Sequence, residues 1–424
     1  MQLSATQFTG NAFVPPSKSY AHRAIIAASL AYGTSLIKNI DLSNDILATI
    51  QAMRTLGAKI TVGHTEEHSR SVLTITGRNN HSGLQIPLID CHESGSTLRF
   101  LIPVVLSLYK EAVFTGSPGL ARRSLAPYQS LFRQKSILWK QQPKQFPIQL
   151  KGQLYAGDFP ISGKVSSQLI SGLMFALPLL EATSTIHVTD ALESKNYVML
   201  TMDVLQRFGI TIRGEDQFYE INPEFYHSAD FQVEGDWSQA AFLLIMGVLG
   251  GRIAIHGLNR NSNQGDRVIE SILTAMNGKI YWEKNVLFAE KSELKAVSVD
   301  VSQCPDLAPA LAGVMALARG RSTIKGGKRL RDKESDRISS VVGLLNQLGA
   351  VVTETEEGMI IDGVPTLHGA SISSHNDHRL AMMAASLSAA ISGEKIDLAQ
   401  ASAVAKSWPD FYQTFKKLGG QCNE

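Results

Sequence analysis

The stretch Gly33–Ile60 reads GTSLIKNIDLSNDILATIQAMRTLGAKI, and its reading decides the fold. It opens on a turn followed by a β-rich run, continues as an amphipathic helix, and closes on a glycine followed by a second strand. A glycine directly after a helix is the usual left-handed cap. The alternation of apolar and polar residues beyond it has the period of a half-buried strand. The opening turn recurs as EAVFTGSP at Glu111, TSTIHVTD at Thr183, GRIAIHGL at Gly251, GRSTIKGG at Gly320 and GEKIDLAQ at Gly393. The closing helix–glycine–strand recurs as FGITI at Phe208, MNGKI at Met276, LGAVV at Leu348 and LGG at Leu418. The copy RQKSILW from Arg133 lacks the glycine. The period is roughly 70 residues, long enough for a supersecondary unit. Helices whose apolar faces must be covered by sheet need neighbours. Six such α/β units predict two pseudo-symmetric domains of three units each.

Composition sets outer bounds. The 424 residues can bury two cores, and 44% apolar with 18% charged residues is ordinary for a water-soluble globular chain. A formal charge of +2 supplies no global field for nucleic acid or an anionic membrane, so any anion site must come from local clustering. Aromatics at 7% with balanced charge give no basic face with interleaved rings. Cys91, Cys304 and Cys422 are too few and too scattered for a disulfide framework or a zinc site, which fits a reducing cytoplasm. The start of the chain lacks the basic and apolar regions of a signal peptide. The longest apolar runs, such as Ala240 to Leu249, are about half a membrane span. The expectation is a cytoplasmic protein.

Polar groups gather where helices begin, and helix starts favour anions through free N–H groups and the dipole. Pro15-Pro16-Ser17-Lys18-Ser19 precedes a helix expected over Tyr20 to Ala31, with Lys18 and Arg23 near its start. Two cations there oppose the dipole, a conflict that a bound anion removes. Glu93-Ser94-Gly95-Ser96-Thr97 opens the expected helix Leu98 to Leu108, and Gly95 permits close approach to backbone. Ser166-Ser167-Gln168 opens Leu169 to Leu180 with three hydrogen-bonding side chains, where capping needs one. Lys333-Glu334-Ser335-Asp336-Arg337 opens Ile338 to Leu348 with Lys333 and Arg337 on one face. Asn376-Asp377-His378-Arg379 opens Leu380 to Ala390. Cys304-Pro305-Asp306 precedes Leu307 to Ala318, with Asp306 an orthodox cap candidate. Arg122-Arg123 is a loop of paired cations, and Lys406 precedes the final helix. Taken singly, each is explained by capping or solvated charge. Together they point to an enzyme binding phosphate and carboxylate groups, with Lys18, Asp306, Glu334 and His378 as candidate proton carriers.

The motifs PSKSYAHR, ESGSTLR, SSQLISGL, ESKNY, VEGDWSQAAF, CPDLAPA, DKESDR, NDHRLAM and AKSWPDFY follow in this order across nearly the whole chain. Their combination resembles the 5-enolpyruvylshikimate-3-phosphate synthase branch of the enolpyruvyl transferases. The resemblance implies a two-domain inverse α/β barrel, each domain three βαβαββ repeats, with the active site in the interdomain cleft. It divides the chain into 1–15 plus 234–424, and 16–233. It implies condensation of shikimate 3-phosphate with phosphoenolpyruvate and release of phosphate, by a monomer using no metal or organic cofactor and no macromolecular partner. By motif position, Lys18, Gly95, Arg123, Gln168, Arg337, Arg379 and Lys406 would hold phosphoenolpyruvate. Lys18, Ser19, Arg23, Ser166, Ser167, Gln168, Ser194, Tyr197, Asp306 and Lys333 would hold shikimate 3-phosphate. Asp306, Glu334 and Lys18 would carry the protons, with His378 as an accessory. Glu93, Pro16, Arg122 and Arg329 depart from frequent family residues. The sister enzyme acting on UDP-N-acetylglucosamine generally carries a Cys on the loop that here reads Ser117 to Arg123, where there is none. A non-catalytic anion-binding protein is the reading from a different class; it would have no use for Asp306, Glu334 and His378 beside the cations.

Overall fold

The computed structural model describes residues 1–64, 70–77, 86–392 and 395–423. It divides into two compact units, Pro16–Val233 and Met1–Pro15 with Glu234–Glu424.

The unit 16–233 holds three four-stranded sheets of one design. In Leu88–Asp90, Glu111–Thr115, Ile148–Lys151 and Leu138–Lys140, the first pair runs parallel and the next two antiparallel. A helix follows each of the first two strands, giving the order βαβαββ. Asp158–Ile161, Ser184–Val188, Phe218–Ile221 and Ile212–Glu215 repeat it. The remaining sheet, Thr34–Ile40, Ser71–Thr76 and Lys59–His64, takes its parallel strand Phe231–Gln232 from the far end of the unit. Five helices position polar groups here: α1 (Lys18–Leu30), α2 (Asn44–Thr55), α3 (Gly95–Leu108), α4 (Ser167–Ala176) and α5 (Lys195–Arg207). Almost every residue of α1, α3 and α4 is buried. Helices apolar on all sides belong inside a core, and these three fill it.

The second unit repeats the design around its own core. Phe8–Phe13, Gly251–His256, Val286–Glu290 and Lys279–Glu283 make one sheet. Ser298–Asp300, Arg321–Lys325, Gly358–Asp362 and Val351–Thr355 make the second. In the third, Gln2–Ala5 lies antiparallel between Ile396–Ala399 and Gly420–Asn423, with Ser371–Ser373 parallel at the edge. Its helices include α6 (Trp237–Gly250), α7 (Ala308–Met315), α8 (Arg337–Gln347) and α9 (His378–Leu387). The α/β fold with three βαβαββ units on each side is therefore as the sequence predicts. The turn marker at Gly393 begins outside the described residues, but its strand Ile396–Ala399 is in place.

Two repeats end their helices differently from the reading of the sequence. Gly57, Gly209, Gly349 and Gly419 take the left-handed cap, yet in the fourth copy that residue is Asn277 (φ 69°), one ahead of Gly278. In the second copy Ser136 (φ 57°) takes it. The capping bonds survive: Ile137 N–H reaches the Phe132 carbonyl at 2.9 Å as Ala58 N–H reaches Met53 at 3.1 Å. Six-to-one bonding sustains the turn, and Asn tolerates the conformation while Ser does so at some strain. Several helices also begin earlier than expected, at Lys18, Gly95, Ser167, Arg337 and His378. The functional side chains thus sit inside the first turns, and the caps are the residues just before them.

Candidate functional site

In the unit 16–233, Ser17 caps α1 by accepting from Tyr20 N–H at 3.5 Å. Lys18, at the first helical position, donates to Asp45 Oδ2 at 2.7 Å, and Asp45 is buried in the first turn of α2. The dipole conflict inferred for Lys18 is thus met within the protein by a carboxylate. Arg23 is different. It is 2% exposed, and its donors go to Thr201 Oγ1 at 2.8 Å and to the carbonyls of Ser19 at 2.8 Å and Tyr197 at 2.9 Å. Ser171 Oγ adds a longer contact at 3.5 Å, and the Phe100 ring lies under the guanidinium at 4.9 Å. Every one of these acceptors is neutral. Burial accordingly pulls Arg23 down to about 10, which still leaves it charged at neutral pH. Ser194 stands at the start of α5 with φ 54°, and its carbonyl accepts from Tyr197 N–H. The sequence therefore draws Ser19, Arg23, Ser194 and Tyr197 into one neighbourhood.

A second cluster forms around Gly95. A Cβ there would lie 2.9 Å from Arg123 Nη1, 3.2 Å from Arg99 Nη1 and 3.8 Å from Gln168 Oε1. Glycine is what allows two guanidiniums to reach this helix start. Arg99 donates to Gln168 Oε1 at 2.9 Å, and Gln168 Nε2 donates to Ser96 Oγ at 2.8 Å. Ser166 caps α4 by accepting from Gln168 N–H, and Ser167 is buried beside it. Arg99 was absent from the sequence expectation. Its signal was a single arginine one turn into an otherwise apolar helix, four residues after Gly95. On the neighbouring loop, Arg122 Nη2 and Glu93 Oε1 lie 3.8 and 3.9 Å from where a Gly119 Cβ would be, so the two departures share one side of that loop.

In the other unit the charges lock together. Asp306 Oδ1 accepts from Arg337 at 2.9 Å and lies 3.6 Å from Lys333 Nζ, while Oδ2 accepts from Arg379 at 2.9 Å. Arg337 also donates to Glu334 at 2.7 Å and to Asp377 at 2.8 Å. Asp306 sits in a short 3-10 turn and caps no helix by its side chain, contrary to the simpler reading of its position. Asp336 caps α8 and Asp377 caps α9. Burial works to raise the Asp306 carboxyl, but Arg379, Lys333 and Arg337 outweigh it and hold it well below the usual carboxylate range. Burial likewise depresses Lys333, to about 8, with Asp306 resisting and Arg337 and Arg329 assisting. Burial would also depress Arg337, but Asp377, Glu334 and Asp306 hold it above its ordinary value. Arg329 donates to the Ser302 carbonyl at 2.5 Å. His378 and Lys406 are buried, Lys406 at the end of the short helix Ala401–Lys406 that packs on α9.

Two carboxylates beyond the expected set belong to this chemistry. Asp377 braces Arg337. Asp266 is 2% exposed and accepts from Ser238 Oγ near the start of α6. Burial first, and then Asp306, push Asp266 up to about 6, against the pull of Arg379. Its sequence, Gly265-Asp266-Arg267, carries no distinguishing pattern. Among the described residues no group of three or more His, Cys, Asp and Glu side chains is arranged to hold a metal ion. None of their helices is long and apolar enough to cross a membrane.

A sequence model described as EPSP synthase (3-phosphoshikimate 1-carboxyvinyltransferase) matches residues 4–415. The 3-phosphoshikimate 1-carboxyvinyltransferase of Clostridium kluyveri is 41% identical over 426 residues, covering 100% of this chain and 98% of that one. The chain belongs to the EPSP synthase family. The namesake enzyme of Clostridium acetobutylicum is 43% identical over 418 residues, covering 98% of this chain and 96% of its own. In three dimensions the chain is similar to EPSP synthase from Acinetobacter baumannii, with a TM-score of 0.81 at 24% identity and full coverage of both chains. It is also similar to the enolpyruvyl transferase NikO from Streptomyces tendae, with a TM-score of 0.77 at 17% identity, covering 99% and 98%. At such identities these likenesses concern the fold alone. The EPSP synthase family match runs through every motif that supplies the Asp306, Arg23 and Gly95 clusters.

Proposed function

We propose that this protein transfers the enolpyruvyl group of phosphoenolpyruvate to the 5-hydroxyl of shikimate 3-phosphate, releasing phosphate, in the shikimate pathway of aromatic biosynthesis. The observation that carries the reading is Asp306, a carboxylate kept ionised by three cations and still 21% exposed at its side chain. A base must be unprotonated and reachable.

In the addition step the 5-hydroxyl oxygen bonds to C2 of phosphoenolpyruvate while C3 gains a proton. Asp306 takes the hydroxyl proton, and Lys18 or Glu334 delivers the proton to C3. In the elimination step C3 gives its proton back and the C2–O bond to phosphate breaks. No oxidant or reductant enters. Arg23, with only neutral acceptors around it, supplies charge for the sugar phosphate, alongside Ser19, Ser166, Ser167, Gln168, Ser194, Tyr197 and Lys333. Gly95, Arg123, Gln168, Arg337, Arg379, Lys18 and Lys406 serve phosphoenolpyruvate, with Arg99 fixing Gln168. Arginine forks suit carboxylate and phosphate, and preformed charge needs little reorganisation during reaction. His378 is an accessory. The same reading makes the enzyme a cytoplasmic monomer that acts on these two small molecules, with no metal, organic cofactor, nucleic acid or membrane involved.

The test is phosphate release from purified protein. Release that needs both substrates, and falls about 10²- to 10⁴-fold in Asp306→Ala and Lys18→Met, supports the assignment. Release with UDP-N-acetylglucosamine in place of shikimate 3-phosphate would overturn it.

A further inference from the structure

Inside the unit 16–233 runs a buried line of hydrogen bonds that the reaction as outlined does not use. His22 Nδ1, on α1, lies 2.7 Å from Thr49 Oγ1 on α2. Thr49 Oγ1 lies 2.7 Å from Thr97 Oγ1 on α3. Thr97 Oγ1 donates to Ser94 Oγ at 2.7 Å, and Thr97 N–H reaches the same oxygen at 3.2 Å. None of the four residues is more than 1% exposed.

The direction of the line follows from counting protons. A hydroxyl has one to give. Thr97 gives its proton to Ser94, so it must accept at Thr49. Thr49 then donates to Thr97 at 2.7 Å in preference to the Asp45 carbonyl at 3.5 Å. Thr49 must therefore accept from the imidazole, and this requires a proton on Nδ1. The line ties together three helix starts. Its first member follows Lys18 by one turn on α1. Its second follows Asp45, the partner of Lys18, by one turn on α2. Its last member caps α3 at Gly95 and is held there as an acceptor by both Thr97 donors. The N–H groups of Gly95 and Ser96 have no acceptor among the described residues, and they remain available to an anion.

We infer that His22, protonated at Nδ1, is a positioning residue that holds the first turn of α3 and the Lys18–Asp45 pair in register for the phosphate of phosphoenolpyruvate. This rests on the proposed function. Asparagine can place an Nδ2–H where the histidine has Nδ1–H, whereas glutamine sets its amide one bond further out. His22→Gln, and Thr49→Val, which cuts the line, raise KM for phosphoenolpyruvate about tenfold, the size expected for one buried hydrogen bond. KM for shikimate 3-phosphate and kcat stay within about twofold, and His22→Asn restores the wild-type KM. Nitrogen NMR of histidine-labelled protein shows His22 protonated at Nδ1. An Nε2–H tautomer overturns the inference. So does a His22→Asn enzyme as impaired as His22→Gln, or a KM for shikimate 3-phosphate that rises in step. Wild-type protein that releases no phosphate overturns the functional reading and the phosphate part of the inference with it; the tautomer is still decided by the spectrum.

Discussion

Arg337 and Asp377 are forty residues apart in the chain and meet at 2.8 Å, both almost wholly buried. Asp377 also caps α9 through the Arg379 N–H at 2.9 Å, so one carboxylate fixes a helix start and a guanidinium together. Removing one partner of a buried pair leaves an uncompensated charge, at a cost of about 3–5 kcal/mol. Arg337→Ala should therefore lower the melting temperature of its unit markedly. Asp377→Asn, which keeps an acceptor for the cap, should lower it less. Thermal unfolding of the two variants side by side checks this order; equal losses would mean that the other partners of Arg337, Asp306 and Glu334, add nothing beyond its pair with Asp377.

Lys333, depressed to about 8, loses its charge in the folded state well before its ordinary 10.5. Affinity for shikimate 3-phosphate should fall as pH rises through about 8. Lys333→Arg, which stays charged, should remove that limb. For stability the sign is opposite. The folded protein releases this proton more readily than the unfolded chain, so the Lys333 contribution becomes more favourable as pH climbs from about 8 toward 10.5. With 28% of the side chain exposed, that second effect is small. Binding titrations at pH 7 and 9 check the first.

Asp266 behaves in the opposite sense to Asp306. Its folded-state value is raised to about 6 from 3.8, so the folded form holds its proton more tightly than the unfolded chain. Ionised Asp266 costs nothing below about pH 4. The cost grows between 3.8 and 6 and is complete above 6. Asp266→Asn should thus stabilise the protein by about 3 kcal/mol at pH 7, and the gap from wild type should close near pH 4. Urea unfolding at both pH values measures it. A gap that does not change with pH would show that Asp266 is not the titrating group.

Arg23 is a buried cation among neutral acceptors, so it costs stability unless an anion joins it. Arg23→Met should leave the melting temperature unchanged or raise it. The KM for shikimate 3-phosphate should meanwhile rise roughly 10- to 100-fold, the loss expected for a charged hydrogen bond. A variant that melts earlier, with KM unaltered, would make Arg23 a structural residue.

The repeat was legible because each copy repeats a local instruction: turn, amphipathic helix, left-handed cap, strand. The cap at Gly57 could be read from sequence. The cap at Ser136 could not, because Ser is an ordinary residue and only the closing bond from Ile137 to Phe132 shows its conformation. Candidate site residues were legible where a cation stood at a helix start against the dipole, as with Lys18 and Arg337. Their partners were not. Asp45 lies on the next helix and Asp377 forty residues beyond Arg337, and no local pattern says that a distant carboxylate will fold against a given cation. Arg99 lay in plain view, four residues after Gly95, inside a run otherwise read as core. Asp306 was read both as a cap candidate and as a candidate proton carrier; its side chain makes no cap and instead meets Arg337 and Arg379.

The strand Gln2–Ala5 lies between Ile396–Ala399 and Gly420–Asn423. Its two partner strands follow it by roughly four hundred residues along the chain. The segment 16–233 is continuous and can complete its three sheets while translation is still under way. The unit that carries Asp306 cannot. At elongation rates of about 5–20 residues per second, Gln2–Ala5 waits tens of seconds for Ile396–Ala399 and Gly420–Asn423 to be made. Truncation before Gly420 would remove one of these partners and leave that side of Gln2–Ala5 open permanently.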